Sequence, residues 1–378
     1  MKSLMNSQLG MFEETVLDFA SKELVDNRQD NDRFPFGPLF EEVLRKARAV
    51  GFFSVTLPEE LEGCDMGTTE LCVLLENLCR SDASLAAVIF TDTMAKEIVY
   101  RARGFLQLKE MLPKVSEYDG TLLACQSHAD ATQAIGLSAK PERAADTFSL
   151  SGKADYVVLG GIARNAVLAA RTGGDGYSFF LVDLAGDGIT KSEPVRSLGL
   201  HACPAVDISM ESARGALVGT EGEGAAYLER VAGRMNAAAA AMSVGVMKGS
   251  FEEAVSYARE RQQGGREIVN WSEVRRMLAR MAVKVKAADM VVTEACRTAE
   301  DNLPSWELGA KTAALFAGEA SVELTTDGIQ VLGGNGYMED YGQEKRFRDA
   351  AQIRCLMGLA PMRELYLMGK VLEGEPLY

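Results

Sequence analysis

The sequence predicts a mainly α-helical protein with a central β domain, and three observations support this fold class. Apolar residues recur at helical spacing near the N-terminus, short β-type runs separated by turn residues fill the middle, and long segments rich in alanine, methionine, glutamate and arginine fill the C-terminal part. The chain has 378 residues, which is enough for two or three units with a substantial core. We place these units at residues 1–119 (all-α), 120–220 (β) and 221–378 (helical bundle).

The N-terminal unit is predicted from one amphipathic helix. Its apolar face consists of residues three to five positions apart, as a helix requires: Leu4, Leu9, Phe12, Val16 and Phe19. Proline and glycine residues divide the rest of this unit into helices and a loop.

The middle unit is predicted as a small antiparallel β domain, either a barrel or a sandwich. Its β-type runs cover residues 121–125, 147–150, 156–159, 166–170 and 178–182. The C-terminal unit shows the periodicity of a helical bundle over residues 225–262, 271–302 and 306–332. Long alanine-rich helices often pack against other subunits, so we expect an oligomer.

Composition excludes several classes of function. Acidic residues outnumber basic ones by 54 to 40, giving a net charge of −14, which argues against nucleic-acid binding and against attraction to an anionic membrane. The N-terminus lacks the apolar stretch of a secretory signal, and no run of about 18 apolar residues predicts a transmembrane helix. Seven widely spaced cysteines without a CxxC motif predict reduced thiols and a cytoplasmic location. The two histidines, His128 and His201, are too far apart in sequence to suggest a zinc site.

Four segments carry a resemblance to a known family. The run QVLGGNGYMEDY at residues 330–341, followed by EKRFRDA at 344–350, resembles the C-terminal signature of acyl-CoA dehydrogenases. The runs YARERQQGG at 257–265, LGLHAC at 198–203 and PEELEGCDMG at 58–67 resemble three further motifs of that family. The resemblance spans nearly the whole chain, and the family's domain order agrees with the one predicted from periodicity.

The resemblance implies a fold and a chemistry. The fold is an N-terminal helical domain, a β-barrel or sandwich, and a C-terminal four-helix bundle. The cofactor is FAD, the substrate is an acyl-CoA thioester, and an electron-transfer flavoprotein accepts the electrons. In that family a carboxylate removes the proton alpha to the thioester and the flavin takes a hydride from the beta carbon. The family is typically a tetramer in which each flavin touches two subunits.

Five residues are candidates for binding the dinucleotide part of FAD. Gly333 and Gly334 follow an amphipathic helix, where they end the helix and let another backbone approach closely. The resemblance implies contact there with the flavin dinucleotide of a neighbouring subunit, with Gln330 hydrogen-bonding to it; the alternative is a helix cap alone. Arg261 and Gln263 precede two glycines, and an arginine fork suits a pyrophosphate. Their alternative role is a solvated helix end.

Four further residues occupy flavin-facing positions of the resemblance. Ser127 stands in for a flavin-facing threonine, and Tyr156 can shield one face of the flavin as an aromatic ring. Val158 replaces a threonine near the flavin N5 and cannot form its hydrogen bond. Leu359 occupies the position of another threonine. FAD binding is therefore expected with an altered set of contacts.

The family's catalytic glutamate is absent from both of its usual positions. The alignment places Met357 at the common position and Met235 at the rarer one, and Gly358 follows Met357 in the predicted substrate pocket. A thioether has no titratable proton, so neither methionine can be a general base.

Asp92 is the leading candidate for a relocated base. It lies on the predicted helix that lines the acyl pocket in the family, among apolar residues that would raise its pKa. A base there suits an alicyclic or already unsaturated acyl group; the alternative role is a helix cap or a solvated carboxylate.

Three different kinds of protein would also lack the glutamate. The chain could be the degenerate subunit of a heteromeric acyl-CoA dehydrogenase, a flavin-dependent monooxygenase of the same fold, or a protein that binds a thioester without turning it over. The favoured prediction is FAD-dependent dehydrogenation of an acyl thioester by a homotetramer or heterotetramer.

Overall fold

The computed structural model describes most of the chain as one helical domain, one β domain and one helical bundle, in that order. It describes residues 7–26, 28–35, 38–102, 105–111, 122–126, 135–142, 147–173 and 176–376.

The first domain consists of helices that surround one long buried helix. The helices described are α1 (Ser7–Glu23), α2 (Arg28–Asn31), α3 (Pro38–Ala49), α4 (Thr68–Ser81), α5 (Ala83–Arg101) and α6 (Phe105–Met111). Asp82 caps the N-terminus of helix α5, and its carboxylate accepts the Ser84 N–H at 2.7 Å. Every residue of α5 from 83 to 99 is buried, including the charged residues Asp92, Lys96 and Glu97.

The β domain is a single sheet that closes on itself. Its strands are β1 (Leu123–Gln126), β2 (Leu137–Pro141), β3 (Thr147–Val158), β4 (Asn165–Arg171), β5 (Tyr177–Asp183), β6 (Ile189–Lys191) and β7 (Ala205–Val218). The pairings β3–β2, β2–β4, β4–β5, β5–β7 and β7–β3 form a ring, which makes the domain a barrel. The prediction of a wholly antiparallel domain was wrong, because β1 and β2 each pair with β4 in parallel.

One long strand replaces two of the predicted runs. The runs at 147–150 and 156–159 belong to β3, which continues through irregularities in its pairing with β7 between Leu150 and Gly152 and between Ala154 and Val157. Such bulges bend a strand and redirect a side chain. Tyr156 lies in the second irregularity with φ +55°, so the bulge determines where its ring points.

The bundle consists of three long helices and two shorter ones. They are α7 (Gly224–Glu260), α8 (Ser272–Glu300), α9 (Trp306–Leu332), α10 (Gln343–Ile353) and α11 (Ala360–Leu372). A short hairpin of β8 (Gln262–Gln263) and β9 (Arg266–Glu267) joins α7 to α8. The alanine run 237–241 of α7 is fully buried, and Gly245 lies where an added Cβ would be 2.1 Å from the Glu76 carbonyl oxygen. Small residues therefore allow α7 to pack closely on α4.

The order of elements agrees with the predicted division of the chain. The first boundary, at 119/120, lies outside the described residues, and the second, at 220/221, lies between the end of β7 and the start of α7. The exact boundaries stay a prediction. Among the described helices, none combines the length and the apolar character needed to cross a bilayer.

Candidate active site

Two glycine-containing segments that the sequence identified meet at one end of the bundle. One follows α7 and the other follows α9, and the Asn335 side-chain amide joins them by donating to the Tyr257 hydroxyl at 3.0 Å. The candidate dinucleotide-binding residues on these segments are all exposed: Arg261, Gln263, Gln330, Gly333 and Gly334.

The glycines leave their backbone open to a ligand. A Cβ added at Gly333 or Gly334 would meet nothing within 4 Å, and Gly333 has φ +61°. The guanidinium of Arg261 and the amides of Gln263 and Gln330 are exposed at the ends of α7 and α9 and supply hydrogen-bond donors. An exposed glycine backbone together with guanidinium and amide donors fits the pyrophosphate and ribose of a dinucleotide.

A second group of candidate residues lies where the β domain packs against α10. The Gln352 side-chain amide donates to the Tyr156 hydroxyl at 3.0 Å, and the Leu200 N–H donates to Asp349 Oδ1 at 2.8 Å. The Tyr156 N–H donates to Asp207 Oδ1 at 3.0 Å, which holds its backbone in the bulge. Burial raises the pKa of the Tyr156 phenol. Tyr156 therefore lies at the contact between barrel and bundle, its hydroxyl held by α10.

Val158 lies beside Tyr156 but presents no polar group. It is buried, pairs with Cys125 of β1 and Ala205 of β7, and belongs to the barrel core. The predicted loss of a hydroxyl at this position agrees with this apolar environment. Ser127 lies outside the described residues, so its flavin contact stays a prediction.

The loop between α10 and α11 presents the position of the missing glutamate. Met357 is 2% exposed and has φ +64°, an uncommon conformation for a residue with a side chain. Gly358 follows with φ +108°, and Leu359 is 63% exposed. Met235 of α7, the rarer glutamate position, is 0% exposed and belongs to the same core cluster as Met357. Both candidate base positions are therefore buried and apolar.

Arg363 of α11 connects these two positions. Its Nη2 donates to Asn236 Oδ1 at 3.0 Å, and its Nη1 lies 3.4 Å from the carbonyl oxygens of Arg354 and Leu356. Asn236 follows Met235 and Leu356 precedes Met357, so one guanidinium ties the loop to α7.

Asp92 is fully buried inside the N-terminal domain. Its Oδ1 accepts the Leu123 N–H at 2.8 Å and its Oδ2 lies 2.5 Å from Lys96 Nζ, which also donates to the Phe53 carbonyl at 3.0 Å. Burial raises the pKa of the Asp92 carboxyl, and Lys96 opposes that effect. The expected direction of the shift is therefore confirmed, but both carboxylate oxygens already have partners. The contact joins α5 to β1 and to the loop that contains Phe53.

A second carboxylate of α5 is also buried and paired. Glu97 Oε1 lies 2.5 Å from Arg234 Nη1 on α7, and its Oε2 lies 3.2 Å from Arg101 Nε. Arg234 precedes Met235, so this ion pair also links α5 to the rarer base position. Like Asp92, Glu97 is engaged by a cation.

The structure thus separates the candidate residues. The exposed group at the end of the bundle holds the five dinucleotide candidates. Tyr156 and Val158 lie in the barrel, Met235 lies in α7, Met357 and Gly358 lie in the loop after α10, and Asp92 is buried in α5. Leu359 is exposed on the same loop as Met357.

Sequence reasoning missed several partners of these residues. Lys96 is four residues after Asp92, a helical spacing that brings two side chains together, so the sequence alone could have indicated this partner. Gln352 and Arg363 reach their partners across domains or loops, at separations of 196 and 127 residues. No local pattern predicts such contacts.

Comparison with known proteins identifies the family. Residues 6–119 match the acyl-CoA dehydrogenase N-terminal domain and residues 222–362 match the acyl-CoA dehydrogenase C-terminal domain. The chain belongs to the acyl-CoA dehydrogenase family. It is therefore an oxidoreductase of the acyl-CoA dehydrogenase type, and the relatives of this family are flavoproteins that act on the CH–CH group of acyl-CoA thioesters.

Individual relatives are similar over most of their length. The chain is 26% identical to the CarC subunit of the caffeyl-CoA reductase–Etf complex of Acetobacterium woodii, over 97% of this chain and 99% of that protein. It is 28% identical to cyclohex-1-ene-1-carbonyl-CoA dehydrogenase of Syntrophus aciditrophicus, over 82% of this chain and 77% of that one. The solved structure of butyryl-CoA dehydrogenase from Megasphaera elsdenii superposes with a TM-score of 0.87 at 20% identity, covering 97% and 99% of the two chains. The acyl-CoA dehydrogenase fold is thereby established.

Proposed function

We propose that this chain binds FAD and dehydrogenates an acyl thioester, with an alicyclic or already unsaturated acyl group as the substrate class. The observation that best supports this proposal is the open glycine backbone at Gly333 and Gly334, whose segment is joined to α7 by the hydrogen bond from Asn335 to Tyr257. The relatives of the chain include dehydrogenases of cyclic acyl-CoA thioesters, which favours the substrate class.

The residues present would hold the cofactor at two places. Arg261, Gln263 and Gln330 would bind the pyrophosphate and ribose, and Tyr156 would cover one face of the ring system. FAD, when bound, supplies the hydride acceptor. Val158 leaves the ring without the hydroxyl contact that a threonine would provide, so we expect FAD affinity to depend mainly on the exposed group.

Asp92 is the proposed base, and its present partners define what it must do. Burial raises the pKa of the Asp92 carboxyl, which makes it a stronger proton acceptor than an exposed aspartate. To accept a proton from the substrate, the carboxylate must exchange its Lys96 contact for a contact with the acyl group. After this exchange the carboxylate would remove the proton from a carbon further from the thioester than the alpha carbon, as an extended dehydrogenation requires.

The test compares Asp92→Asn with the double variant D92N/K96M. If Asp92 is the base, both variants should retain FAD and reduce it at least a hundredfold more slowly with cyclohex-1-ene-1-carbonyl-CoA in stopped-flow absorbance. Wild-type reduction rates in the double variant would refute the assignment, because that variant removes the carboxylate together with its buried cation.

A second candidate function is the non-catalytic subunit of a heteromeric acyl-CoA dehydrogenase. The buried methionines at both glutamate positions, and the occupied oxygens of Asp92, favour it. Co-expression with acyl-CoA dehydrogenase chains encoded nearby, followed by affinity capture, should then recover a related chain that retains the glutamate. Met357→Glu in the isolated chain distinguishes the two functions: gain of butyryl-CoA dehydrogenation would show that only the base is missing.

We further propose an electron-transfer flavoprotein as the electron acceptor and a tetramer, homomeric or heteromeric, as the assembly. A relative is a subunit of a reductase–Etf complex, which supports the acceptor. Reduced protein should transfer its electrons to a purified electron-transfer flavoprotein, and light scattering should give four chains per particle. No disulfide joins the cysteines of the described residues, which supports a cytoplasmic location.

A further inference from the structure

His201 is a half-buried histidine whose two ring nitrogens both face oxygen atoms that can only accept hydrogen bonds. Its Nδ1 lies 2.9 Å from the Asp32 carbonyl oxygen and 3.4 Å from Asp32 Oδ1, and its Nε2 lies 3.1 Å from the Ser197 carbonyl oxygen. Asp32 follows α2 in the N-terminal domain, whereas Ser197 and His201 lie between β6 and β7 of the barrel. The imidazole therefore joins two domains.

The surroundings of this ring suit an imidazolium. A neutral imidazole has one N–H donor and one accepting nitrogen, so it can satisfy only one of the two carbonyl oxygens and turns a lone pair toward the other. An imidazolium donates from both nitrogens. Asp32 Oδ1 is buried and accepts no hydrogen bond from the described residues, so a charged ring 3.4 Å away also compensates this oxygen. The full set of contacts thus exists only when His201 is charged.

Asp32 connects the ring to the charges of α10. It is the only carboxylate of the described ranges within 4.0 Å of the His201 nitrogens. Its Oδ2 pairs with Arg348 Nη2 at 2.6 Å, and Lys345 Nζ lies 3.9 Å from its Oδ1 but only 2.7 Å from Asp349 Oδ2. Further charged side chains on the segments around the ring are Asp30, Arg33, Glu193, Arg196 and Glu344. The two nearest cations are therefore turned toward other carboxylate oxygens, and Asp32 Oδ1 is left to His201.

Most ionisable neighbours keep their charge over the range in which an ordinary imidazole changes its own, about pH 5 to 8. Burial raises the pKa of the Cys203 thiol to about 12 and also raises the pKa of the Tyr156 phenol. Burial raises the pKa of the Asp32 carboxyl as well, while Lys345 and Arg348 oppose that effect. Asp32 is therefore the neighbour whose titration an experiment has to separate from that of His201.

A chain of hydrogen bonds connects His201 to the hydroxyl of Tyr156. The ring holds the Ser197 carbonyl, and the Ser197 hydroxyl donates to the Gly199 carbonyl at 2.8 Å. The Gly199 N–H donates to Gln352 Oε1 at 3.2 Å, and Gln352 Nε2 donates to the Tyr156 hydroxyl at 3.0 Å. Gly199 lies so close to α10 that an added Cβ would be 2.3 Å from a carbonyl oxygen of that helix. A displacement of Ser197 therefore reaches the amide that holds Tyr156.

Resting on the proposed function, we propose that His201 is a positioning residue: as an imidazolium it fixes the barrel segment 197–203 to the N-terminal domain and, through Gln352, holds the Tyr156 ring against the flavin. When the imidazole loses one of its two protons, one carbonyl oxygen faces a lone pair and that contact breaks. The segment then moves, and Tyr156 loses its fixed place. The covering of the flavin is thus sensitive to pH, although His201 does not touch the cofactor.

The test measures the charge of His201 and the contact of Tyr156 with the flavin on the same samples. Deuterium exchange at the imidazole Cε1–H, followed by peptide mass spectrometry, reports the charge of each histidine separately, with or without FAD. The fluorescence of bound FAD reports the contact, because a tyrosine ring against the flavin quenches it. Both are followed from about pH 5.5 to 8.5, with unbound FAD removed by gel filtration at each pH.

In wild type the two quantities should change together. Losing one hydrogen bond shifts a population ratio about fivefold, so the fluorescence of bound FAD should rise at least about twofold as the pH increases. The midpoint of this rise should coincide with the pH at which His201 loses its charge.

Four variants assign the effect to the charge of His201. His201→Arg carries a charge and several donors at every pH, so its fluorescence should stay low, whereas the neutral His201→Gln should stay high. Gln352→Leu cuts the chain of hydrogen bonds, so fluorescence should be high throughout while His201 still changes charge. His128→Gln removes the only other histidine and is the matched control, which should keep the wild-type profile. His201→Asn is the second neutral variant if His201→Gln does not fold.

Four results would overturn the inference. Constant fluorescence in wild type while His201 changes charge would show that the ring does not position Tyr156, and would leave the proposed function intact. A wild-type transition retained in His201→Gln would assign the effect to Asp32 or another group. High fluorescence at every pH in His201→Arg would show that the charge is not the acting feature. A protein that never retains FAD would refute the proposed function together with this inference.

Discussion

Replacing the Asp92–Lys96 ion pair separates the structural role of Asp92 from any catalytic role. The pair is buried, with Asp92 0% and Lys96 3% exposed on their side chains and 2.5 Å between Oδ2 and Nζ. In Asp92→Asn the amide oxygen can still accept the Leu123 N–H, but Lys96 loses its only carboxylate among the described residues and keeps only the Phe53 carbonyl. The double variant D92N/K96M removes the stranded cation while a methionine fills the space of the lysine stem.

The magnitudes follow from the burial of both charges. Removing one partner of a buried pair typically costs about 3–5 kcal/mol, whereas replacing the pair by groups of similar volume is often nearly neutral. We therefore expect Asp92→Asn to lower the free energy of unfolding by about 3–5 kcal/mol and D92N/K96M to lie within about 1 kcal/mol of wild type.

The single variant Lys96→Met should show a pH dependence of definite sign. Burial raises the pKa of Asp92 above its unfolded value, and the loss of Lys96 would raise it further. A carboxyl with a raised folded-state pKa binds more protons in the native protein, so the destabilisation is present above that pKa and is relieved as the pH falls through it. Lys96→Met should thus be closer to wild type at pH 5 than at pH 8.

The assay is urea unfolding followed by far-ultraviolet circular dichroism, on protein loaded with FAD and on protein without it. The reasoning would be refuted if Asp92→Asn cost less than about 1 kcal/mol, or if the double variant cost as much as the two single variants together. Either result would mean that the buried pair does not hold α5 against β1 and the Phe53 loop.

Three further predictions test other parts of the structure. Burial lowers the pKa of Lys311 to about 8, so the unfolded chain binds more protons than the native protein between about pH 8 and 10.5, and native stability rises with pH across that window. Lys311→Met should therefore raise the melting temperature at pH 7, which corresponds to a gain in the free energy of unfolding on the order of 1 kcal/mol after solvent screening. This gain should vanish near pH 10.5. Gly245→Ala places a Cβ 2.1 Å from the Glu76 carbonyl oxygen. Differential scanning calorimetry should show that the free energy of unfolding falls by about 1–3 kcal/mol. An unchanged melting temperature would contradict the close approach of α7 and α4. Asn335→Ala removes the 3.0 Å hydrogen bond to Tyr257. Fluorescence titration should show FAD binding weakened about tenfold, with little change in melting temperature. Unaltered binding would show that the exposed glycine segment does not contribute to the cofactor site.

The elements that the sequence predicted well are those whose pattern is local. The bundle segments 225–262, 271–302 and 306–332 differ by a few residues from α7, α8 and α9, because apolar periodicity and glycine-rich ends mark long helices. The glycine segment 333–336 also lies at the end of a helix, as predicted, since glycine adopts the positive φ found at Gly333.

The elements that were missed depend on contacts between distant segments. The long strand β3 was predicted as two runs, and the exposed Gly152 between them interrupts its buried alternation. Pairing with β7 carries the strand through the bulge at Tyr156. The parallel pairings of β4 likewise leave no local signature. At the site, the sequence identified Asp92 and the two methionine positions, but the partners Gln352 and Arg363 approach from elsewhere in the fold.

The buried lysine also limits how Asp92 can act. If Asp92 accepted a proton while Lys96 remained beside it, the product would be a neutral acid next to an unpaired buried ammonium, which is the same uncompensated charge that destabilises Asp92→Asn. Proton transfer to Asp92 therefore requires Lys96 to move, to find another anion or to release its own proton as the substrate binds. A substrate that brings no such compensation would leave Asp92 a structural residue, and the missing base would then have to come from a second chain. The energetic cost of separating this pair thus bears directly on which of the two proposed functions the chain performs.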